Sequence, residues 1–437
     1  MKVKVVGGGL AGAEAAYALL TRGYEVEMYE MRPDKKTPAH KTGLLAELVC
    51  SNSLKSEVAS TASGTLKEEM KCFGSVVLQA AEQARVPCGG ALGVERETFS
   101  KEVERLLTSF EGFSIKREEV ASIEDGVPQV IATGPLTSDA MARCIKEITG
   151  EEYLNFFDAA APIVTADSID YDKAFFASRY KSGDVDYLNA PMNKEEYLAF
   201  YDALVHAERA RQEVDGNYFE GCMPVEVMAE GGVDTLRFGP LRPVGLRHPV
   251  TGERYYAVLQ LRKENVSGDL YNLVGFQTGL TFPEQKRVFG LIPALKDAEF
   301  VRYGVMHRNS FLPSPGLLNW DYSLKINPFL CFAGQMTGVE GYVESASSGL
   351  LASLALHEKL LGKDPVDFTD QTAIGALGHY VSEYAGHDFQ PMNVTFGIMA
   401  PAGQRFRGKQ QKNLFLSERA LNTVREKKAL LSPAIET

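Results

Sequence analysis

The sequence has no apolar run approaching the ~20 residues that span a bilayer, which excludes a helical membrane anchor. It has no Cys-x-x-Cys pair. Six cysteines in 437 residues are too sparse for a disulfide framework or a structural zinc site. There is no internal repeat and no low-complexity tract. An apolar segment begins at Val3, which leaves no room for a cleaved leader, so the expected location is a reducing cytoplasm. Nor is there an excess of positive charge: 46 lysines and arginines against 57 acidic residues give −11, which argues against a general affinity for nucleic acid. The remainder is ordinary. Hydrophobic residues make up 45% and charged residues 24%, and the length suffices for two or three domains with full cores.

The most informative segment comes first. Lys2 to Val6 has the pattern of a short buried strand and runs directly into Gly7-Gly8-Gly9-Leu10-Ala11-Gly12. An alanine-rich helix starts inside that motif, and a second strand from Tyr24 to Tyr29 ends at Glu30. In such a strand-turn-helix unit Gly7 permits the tight turn, Gly9 lets a pyrophosphate approach the backbone, and Gly12 lets helix pack on strand. The helix N-terminus offers N–H groups and a positive dipole end to the phosphates. Glu30 is placed to accept hydrogen bonds from the adenosine ribose. The unit predicts a dinucleotide site.

Two later segments favour FAD over NAD. Val130-Ile131-Ala132-Thr133-Gly134 is an apolar run of the kind that returns a chain to the nucleotide sheet. Phe329 to Phe332 is another buried-looking strand, followed by Ala333-Gly334-Gln335, by Gly338 and Gly341, and by a small-residue helix from Ser345. Elements of the nucleotide site at both ends of the chain imply an α/β fold: a Rossmann-like FAD-binding domain of residues 1–190 and 310–437, with an inserted α+β domain at 191–309. Within the insertion, 194–211 has helical periodicity, with Tyr197, Phe200, Tyr201, Leu204 and Val205 on one face. Residues 255–261 and 271–276 suggest a hairpin, and 282–295 a further helix.

Two basic runs interrupt the acidic background. Between Pro401 and Lys428 eight basic residues accompany only two acidic ones, with Arg405, Arg407, Lys409 and Lys412 leading. Arg237, Arg242, Arg247, Arg254, Arg262 and Lys263 form a looser second run. Either is an electrostatic footprint for phosphate or a solvated surface.

Two cysteines stand outside core-like surroundings. Cys50 lies where an apolar run meets Ser51-Asn52-Ser53, and Cys222 lies in Glu220-Gly221-Cys222-Met223-Pro224. Cys72, Cys88, Cys144 and Cys331 have the setting of small buried hydrophobes.

Several longer blocks carry a resemblance. They are 7–16, Tyr29-Glu30-Met31-Arg32-Pro33, Thr37-Pro38-Ala39-His40, Val49 to Ser53, Glu220 to Glu226, Phe238 to Leu246, and Ala333 to Tyr342. Together they resemble the TrmFO family of folate- and FAD-dependent tRNA (uracil-5-)-methyltransferases, over residues 1 to at least 420. The related, larger GidA family carries His and Cys where this chain has Leu10 and Ala13, and too little sequence follows Gln335 for its helical C-terminal domain.

The resemblance implies methylation of uridine 54 in the tRNA T-loop, with methylenetetrahydrofolate giving the carbon and NADPH or NADH the electrons. It assigns Gly7 to Gly12, Glu30, Arg32, Thr133, Gly134, Gly334, Gln335 and Gly341 to FAD. Arg405, Arg407, Lys409 and Lys412 then become a phosphate clamp, and His307 and Tyr342 are candidates to stack on the pterin.

The chemistry explains the cysteines. C5 of uracil is a weak nucleophile until a thiolate adds at C6 and makes the ring an enolate. Cys50 and Cys222 therefore take the roles of nucleophile and general base, and analogy favours Cys50 as the nucleophile. Three other readings share parts of this pattern: the same chemistry on a ribosomal RNA uridine, an FAD oxidoreductase of a small metabolite, and a flavin-binding RNA chaperone.

Overall fold

The structure is a computed structural model that describes residues 1–179, 186–210 and 223–435, with 156–158 and 307–308 described by backbone alone. The opening strand Lys2–Val6 forms the middle of a six-stranded sheet. It pairs in parallel with Glu25–Tyr29 on one side, Val5 opposite Met28, and with Gln129–Ile131 on the other, Val5 opposite Val130. Phe113–Lys116 adds outside Glu25–Tyr29, and Asn327–Phe332 adds outside Gln129–Ile131, both in parallel. Ser323–Leu324 closes the far edge in antiparallel fashion. The central strands bury Val3, Val5, Val6, Val26, Met28, Val130 and Ile131, and Lys4 and Gln129 are buried among them.

The packing roles predicted for Gly7 and Gly12 are visible. Gly7 has φ +104°, and a Cβ there would lie 2.3 Å from the Ala132 carbonyl oxygen. A Cβ at Gly12 would lie 1.9 Å from the carbonyl oxygen of Gly7, so the first helix (Leu10–Leu20) can sit on its strand only with glycine there. The late helix Tyr342–Leu360 crosses the first at similar range. Gly349 abuts the Ala11 carbonyl, and Ser353 Oγ donates to Ala15 O at 3.2 Å. This crossing ties the two ends of the chain into one domain.

A second, antiparallel six-stranded sheet has its own core. Its order is Phe175–Phe176, Tyr187–Met192, Ala257–Lys263, Leu270–Leu273, Ile163–Thr165, Phe300–Arg302. The hairpin expected after residue 255 is present, with Leu261 opposite Leu273. Helix Lys194–Val205 begins with a capping box between Asn193 and Glu196 and buries Tyr197, Phe200 and Leu204 against the sheet. The helix expected over 282–295 stops at Phe289, and a 3-10 turn at Pro293–Leu295 follows Gly290.

The boundary at 191 needs revision. Two strands of this sheet, Ile163–Thr165 and Phe175–Phe176, lie upstream of it, and a third, Tyr187–Met192, runs across it. The two cores are joined by a ribbon of Leu154–Ala159 and Met306–Phe311, paired antiparallel. We place the start and end of the insertion at that ribbon. Among the described residues no helix is long and apolar enough to cross a membrane.

Buried carboxylates fasten the nucleotide domain. Glu69 accepts from the N–H groups of Ala373 and Ile374, at 2.7 and 2.8 Å, and so caps the helix Ala373–Glu383. Glu14, 1% exposed, accepts from Ser75 Oγ at 2.8 Å and Val77 N at 3.1 Å through the same oxygen. Burial pushes the Glu14 carboxyl up from 4.5 to about 7, with its hydrogen bonds opposing. A folded-state value above the unfolded one means that this stabilising contribution is complete below pH 4.5 and is lost as pH rises through 7. Glu14→Gln keeps an oxygen for both donors and carries no charge. Thermal unfolding at pH 5 and pH 8 should show the native chain losing up to roughly 3 kcal/mol more than the variant. Equal losses in the two proteins would place the titration elsewhere.

Candidate active site

The glycine turn opens into a cavity of about 430 Å³ lined by both ends of the chain and by the inserted sheet. Gly7 to Ala11, Glu30, Arg32, Cys50, Thr133, Gly134, Gly334, Gln335, Gly341 and Tyr342 all line it, which unites the residues singled out from the sequence. Gly12 is the exception: it serves the helix packing behind the turn. Cys222 lies outside the described residues, as does the side chain of His307.

One end of the cavity suits a nucleotide. A Cβ at Gly9 would meet nothing within 4 Å, so the backbone there is open to a ligand. The helix beginning at Leu10 has no side-chain cap, and its first N–H groups are free for an anion. Glu30, at the end of its strand, accepts from Gly8 N at 2.9 Å and forms a fork with Arg32 at 2.9 and 3.0 Å. Burial pushes the Glu30 carboxyl up, but the Arg32 guanidinium and the backbone N–H groups outweigh it, and the net shift is downward. Glu30 is therefore a fixed carboxylate beside the glycine turn. Arg32 has a positioning role that its place in the sequence did not reveal: it also reaches Glu47 at 3.1 Å and so holds the Cys50 segment to the turn.

At the other end a second uncapped helix N-terminus, Gly341-Tyr342, faces the cavity. Lys55 sits beside it in the left-handed region, φ +63°, and pairs with Glu344 at 2.7 Å and with Asn393. The open glycine backbone, two uncapped helix ends and a fixed carboxylate beside the glycine turn form a polar set that fits FAD.

Between these ends the Cys50 segment is held from every side. Tyr342 Oη accepts the backbone N–H of Cys50 at 2.8 Å and of Ser51 at 3.1 Å. Arg96 donates to the carbonyls of Leu48 and Cys50, and Arg302 donates to that of Val49. Arg262 fixes Asn52 at 2.9 Å and Ser51 Oγ at 3.0 Å. Burial lowers the Arg96 guanidinium, and Glu264 at 2.9 Å raises it by more. Arg302 is lowered, first by burial and then by Arg96. Burial drives the Tyr342 phenol well above its ordinary value, so it stays a neutral hydroxyl. Arg96 and Arg302 both interact electrostatically with Cys50.

Downstream of Cys222 the described chain bonds to one residue of the cavity wall. Val225 N donates to Gln277 O at 2.7 Å, and Gln277 is part of the lining. Glu226 anchors that contact by accepting from Thr278 Oγ1 at 2.8 Å and Gly279 N at 2.7 Å. The other cysteines stay in packing positions away from the lining: Cys88 and Cys331 are buried, Cys72 and Cys144 half-buried. Thr37, Ala39 and His40, a motif without an assigned role, prove to be cavity wall.

The chain has relatives among known proteins. The family model described as glucose inhibited division protein A matches residues 2–364. A methylenetetrahydrofolate–tRNA-(uracil-5-)-methyltransferase TrmFO from Moorella thermoacetica is 54% identical over 422 residues, covering 96% of this chain and 97% of the relative. Proteins of the same description from Listeria monocytogenes (serovar 1/2a) and Desulfitobacterium hafniense are 53% and 54% identical, over 97% and 98% of this chain and 98% of each relative. Among solved structures, Aquifex aeolicus GidA in the form II crystal superposes with a TM-score of 0.71 at 15% identity, covering 98% of this chain and 74% of that one. That likeness establishes a common fold. The chain belongs to the GidA family and, by identity over almost its whole length, to its TrmFO branch.

Proposed function

We infer that this chain methylates C5 of a tRNA uridine, uridine 54 of the T-loop, with methylenetetrahydrofolate as carbon donor and NADPH or NADH as electron source. The observation that carries the reading is the position of Cys50: a half-buried thiol on the wall of the nucleotide cavity, beyond the glycine turn, with its backbone fixed and two guanidinia acting on it. A small-metabolite oxidoreductase has no use for that clamp.

The residues divide the work. Gly7 to Ala11, Glu30, Thr133, Gly134, Gly334, Gln335 and Gly341 would hold FAD, which when reduced supplies the hydride that completes the methyl group. Cys50 adds to C6 of the uracil and makes C5 nucleophilic toward the folate-borne methylene. Cys222 takes the C5 proton as the methylene–nitrogen bond to the folate breaks and releases tetrahydrofolate, and hydride delivery to the exocyclic methylene so formed expels Cys50 from C6 as thiolate. Arg96, Arg302 and Tyr342 keep the Cys50 backbone still. They are positioning residues, because they touch its carbonyls and N–H groups. In this reading the Tyr342 hydroxyl is committed to the cysteine segment, and its ring is left for the pterin together with His307. The reaction belongs in a reducing cytoplasm, where a free thiolate persists.

A T-loop uridine must be swung out of its stack to reach a cavity of this kind. The basic segment supports an RNA partner. Arg405, Arg407, Lys409 and Lys412 are all exposed, and two of them lie in the first turn of the helix Lys409–Lys428, which has no acidic residue there and no side-chain cap. Cations at the positive end of a helix oppose its dipole, so they serve a bound anion better than the helix itself. Arg419 drops out of the set, since it donates to the carbonyls of Ala400 and Pro401.

Two experiments test the reading. Cys50→Ala and Cys222→Ala proteins should remain yellow and lose methyl transfer by at least about 100-fold. The assay is mass spectrometry of an unmodified tRNA transcript incubated with methylenetetrahydrofolate, FAD and NADPH. Full transfer by either variant removes that cysteine from the mechanism. Replacing Arg405, Arg407 and Lys409 together by glutamine should weaken tRNA binding and flatten its dependence on salt by about two units of log–log slope. An unchanged slope makes the segment an ordinary surface.

A further inference from the structure

The second basic run is left unused by the site, and it occupies an unusual element. From Gly239 to Tyr256 the chain crosses the inserted domain with no helix or strand. Irregular stretches of this length inside a compact domain are uncommon and usually functional. This one is built to keep its shape. Leu241 is buried in the core of the inserted domain and Leu246 is buried as well, at 0% and 3% exposure, and they pin the loop at two points. Arg179 donates to the carbonyls of Arg242 and Val244 at 2.6 and 2.7 Å. His248 lies against Phe175 with ring centroids 5.5 Å apart, and its N–H and carbonyl close the turn to Glu253 and Gly252.

The side chains between the pins point outward. Phe238 is 83% exposed, an extreme value for an aromatic residue, and it opens the loop. Arg242, Arg247 and Arg254 are exposed, and among the described residues no carboxylate pairs with any of them. Arg237 next to Phe238 does find one, Asp234, and lies over the Tyr256 ring at 3.6 Å, so it is structural. Val244 and Val250 are exposed singly, separated by arginine, glycine and proline, and form no continuous run for a protein partner.

An uncovered aromatic face among unneutralised guanidinia, on a chain of net charge −11, is the donor set for an unpaired base and its flanking phosphates. The loop also leads into the cavity. It ends at the strand Ala257–Lys263, whose Arg262 reaches the lining, about 17 Å further on at the rise of an extended strand.

We propose that residues 238–254 form a second RNA-docking surface, in which Phe238 stacks on an unpaired base near the target uridine and Arg242, Arg247 and Arg254 hold the adjoining phosphates. The inference rests on the tRNA reading above and extends it to a surface remote from the 405–412 segment in sequence.

The test is equilibrium binding of an unmodified tRNA transcript to the FAD-loaded protein over a series of salt concentrations. Phe238→Ala should weaken binding about 5- to 100-fold, the loss of one base stack. Phe238→Trp should bind like the native protein. The triple variant Arg242→Gln, Arg247→Gln, Arg254→Gln should reduce the log–log salt slope by about two. These side chains are exposed, so flavin absorbance and circular dichroism should not change. Native affinity and slope in both the alanine and the triple variant would overturn the proposal, as would unaltered tRNA binding joined to a shift in sedimentation, which would assign the surface to contacts between copies. If the native protein itself binds no tRNA, the failure lies with the substrate reading rather than with the loop.

Discussion

The site depends on one interaction above others: the suspension of the Cys50 segment between guanidinia and a phenol drawn from distant parts of the chain. Buried charge is expensive to desolvate, and an arginine inside a protein is tolerated only when its donors are satisfied. Here Arg96 and Arg302 satisfy theirs on consecutive carbonyls, Leu48, Val49 and Cys50, with Glu264 balancing Arg96. Arg96 opens a helix of the nucleotide domain, whereas Arg302, Arg262 and Glu264 belong to the inserted sheet or its edge. The cysteine is held correctly only if the two cores are docked correctly. A separate clamp for each domain could not provide that coupling.

The nucleotide end is less demanding because its geometry is local. Gly7, Gly12 and the strand-to-helix turn follow from close approaches within a few residues or between adjacent strands. Such features are written in sequence as short patterns, and this is why the turn, the two central strands and Glu30 could be read in advance. The late strand and helix were legible for the same reason: a buried apolar run ending at glycine has few structural alternatives. The placement of Cys50 rested on something weaker, an apolar-to-polar transition, and on resemblance.

What sequence did not disclose is long-range. Tyr342 reads from the sequence as a candidate to stack on the pterin, and its hydroxyl accepts from Cys50 and Ser51, 292 and 291 residues away. No local pattern encodes such a contact. Lys55 in its left-handed conformation and Thr37 to His40 in the cavity wall were missed likewise. The start of the inserted domain was set too late because Ile163–Thr165 and Phe175–Phe176 are short strands, with too few residues to show alternation. Their identity as strands comes from the neighbours they pair with, which lie in other parts of the sequence.

The same accounting of donors explains how an acidic protein can recognise a polyanion. The arginines nearest the thiol have carbonyls, Asn52, Ser51 or Glu264 as partners, so they polarise the site without offering it as a phosphate trap. A phosphate drawn into that pocket would compete with the carbonyls that hold Cys50 in place. Backbone recognition is better kept at the periphery, on guanidinia and ammonium groups that no internal partner claims. Among the described residues, exposed arginines and lysines of that kind lie in the 405–412 segment and in the 238–254 loop. Net negative charge elsewhere then becomes useful, since it disfavours nonspecific adhesion of RNA and leaves these surfaces to set the approach. On the proposed function, separation of phosphate binding from thiol activation is therefore a constraint imposed by the clamp: the charges that fix the cysteine cannot also hold the substrate.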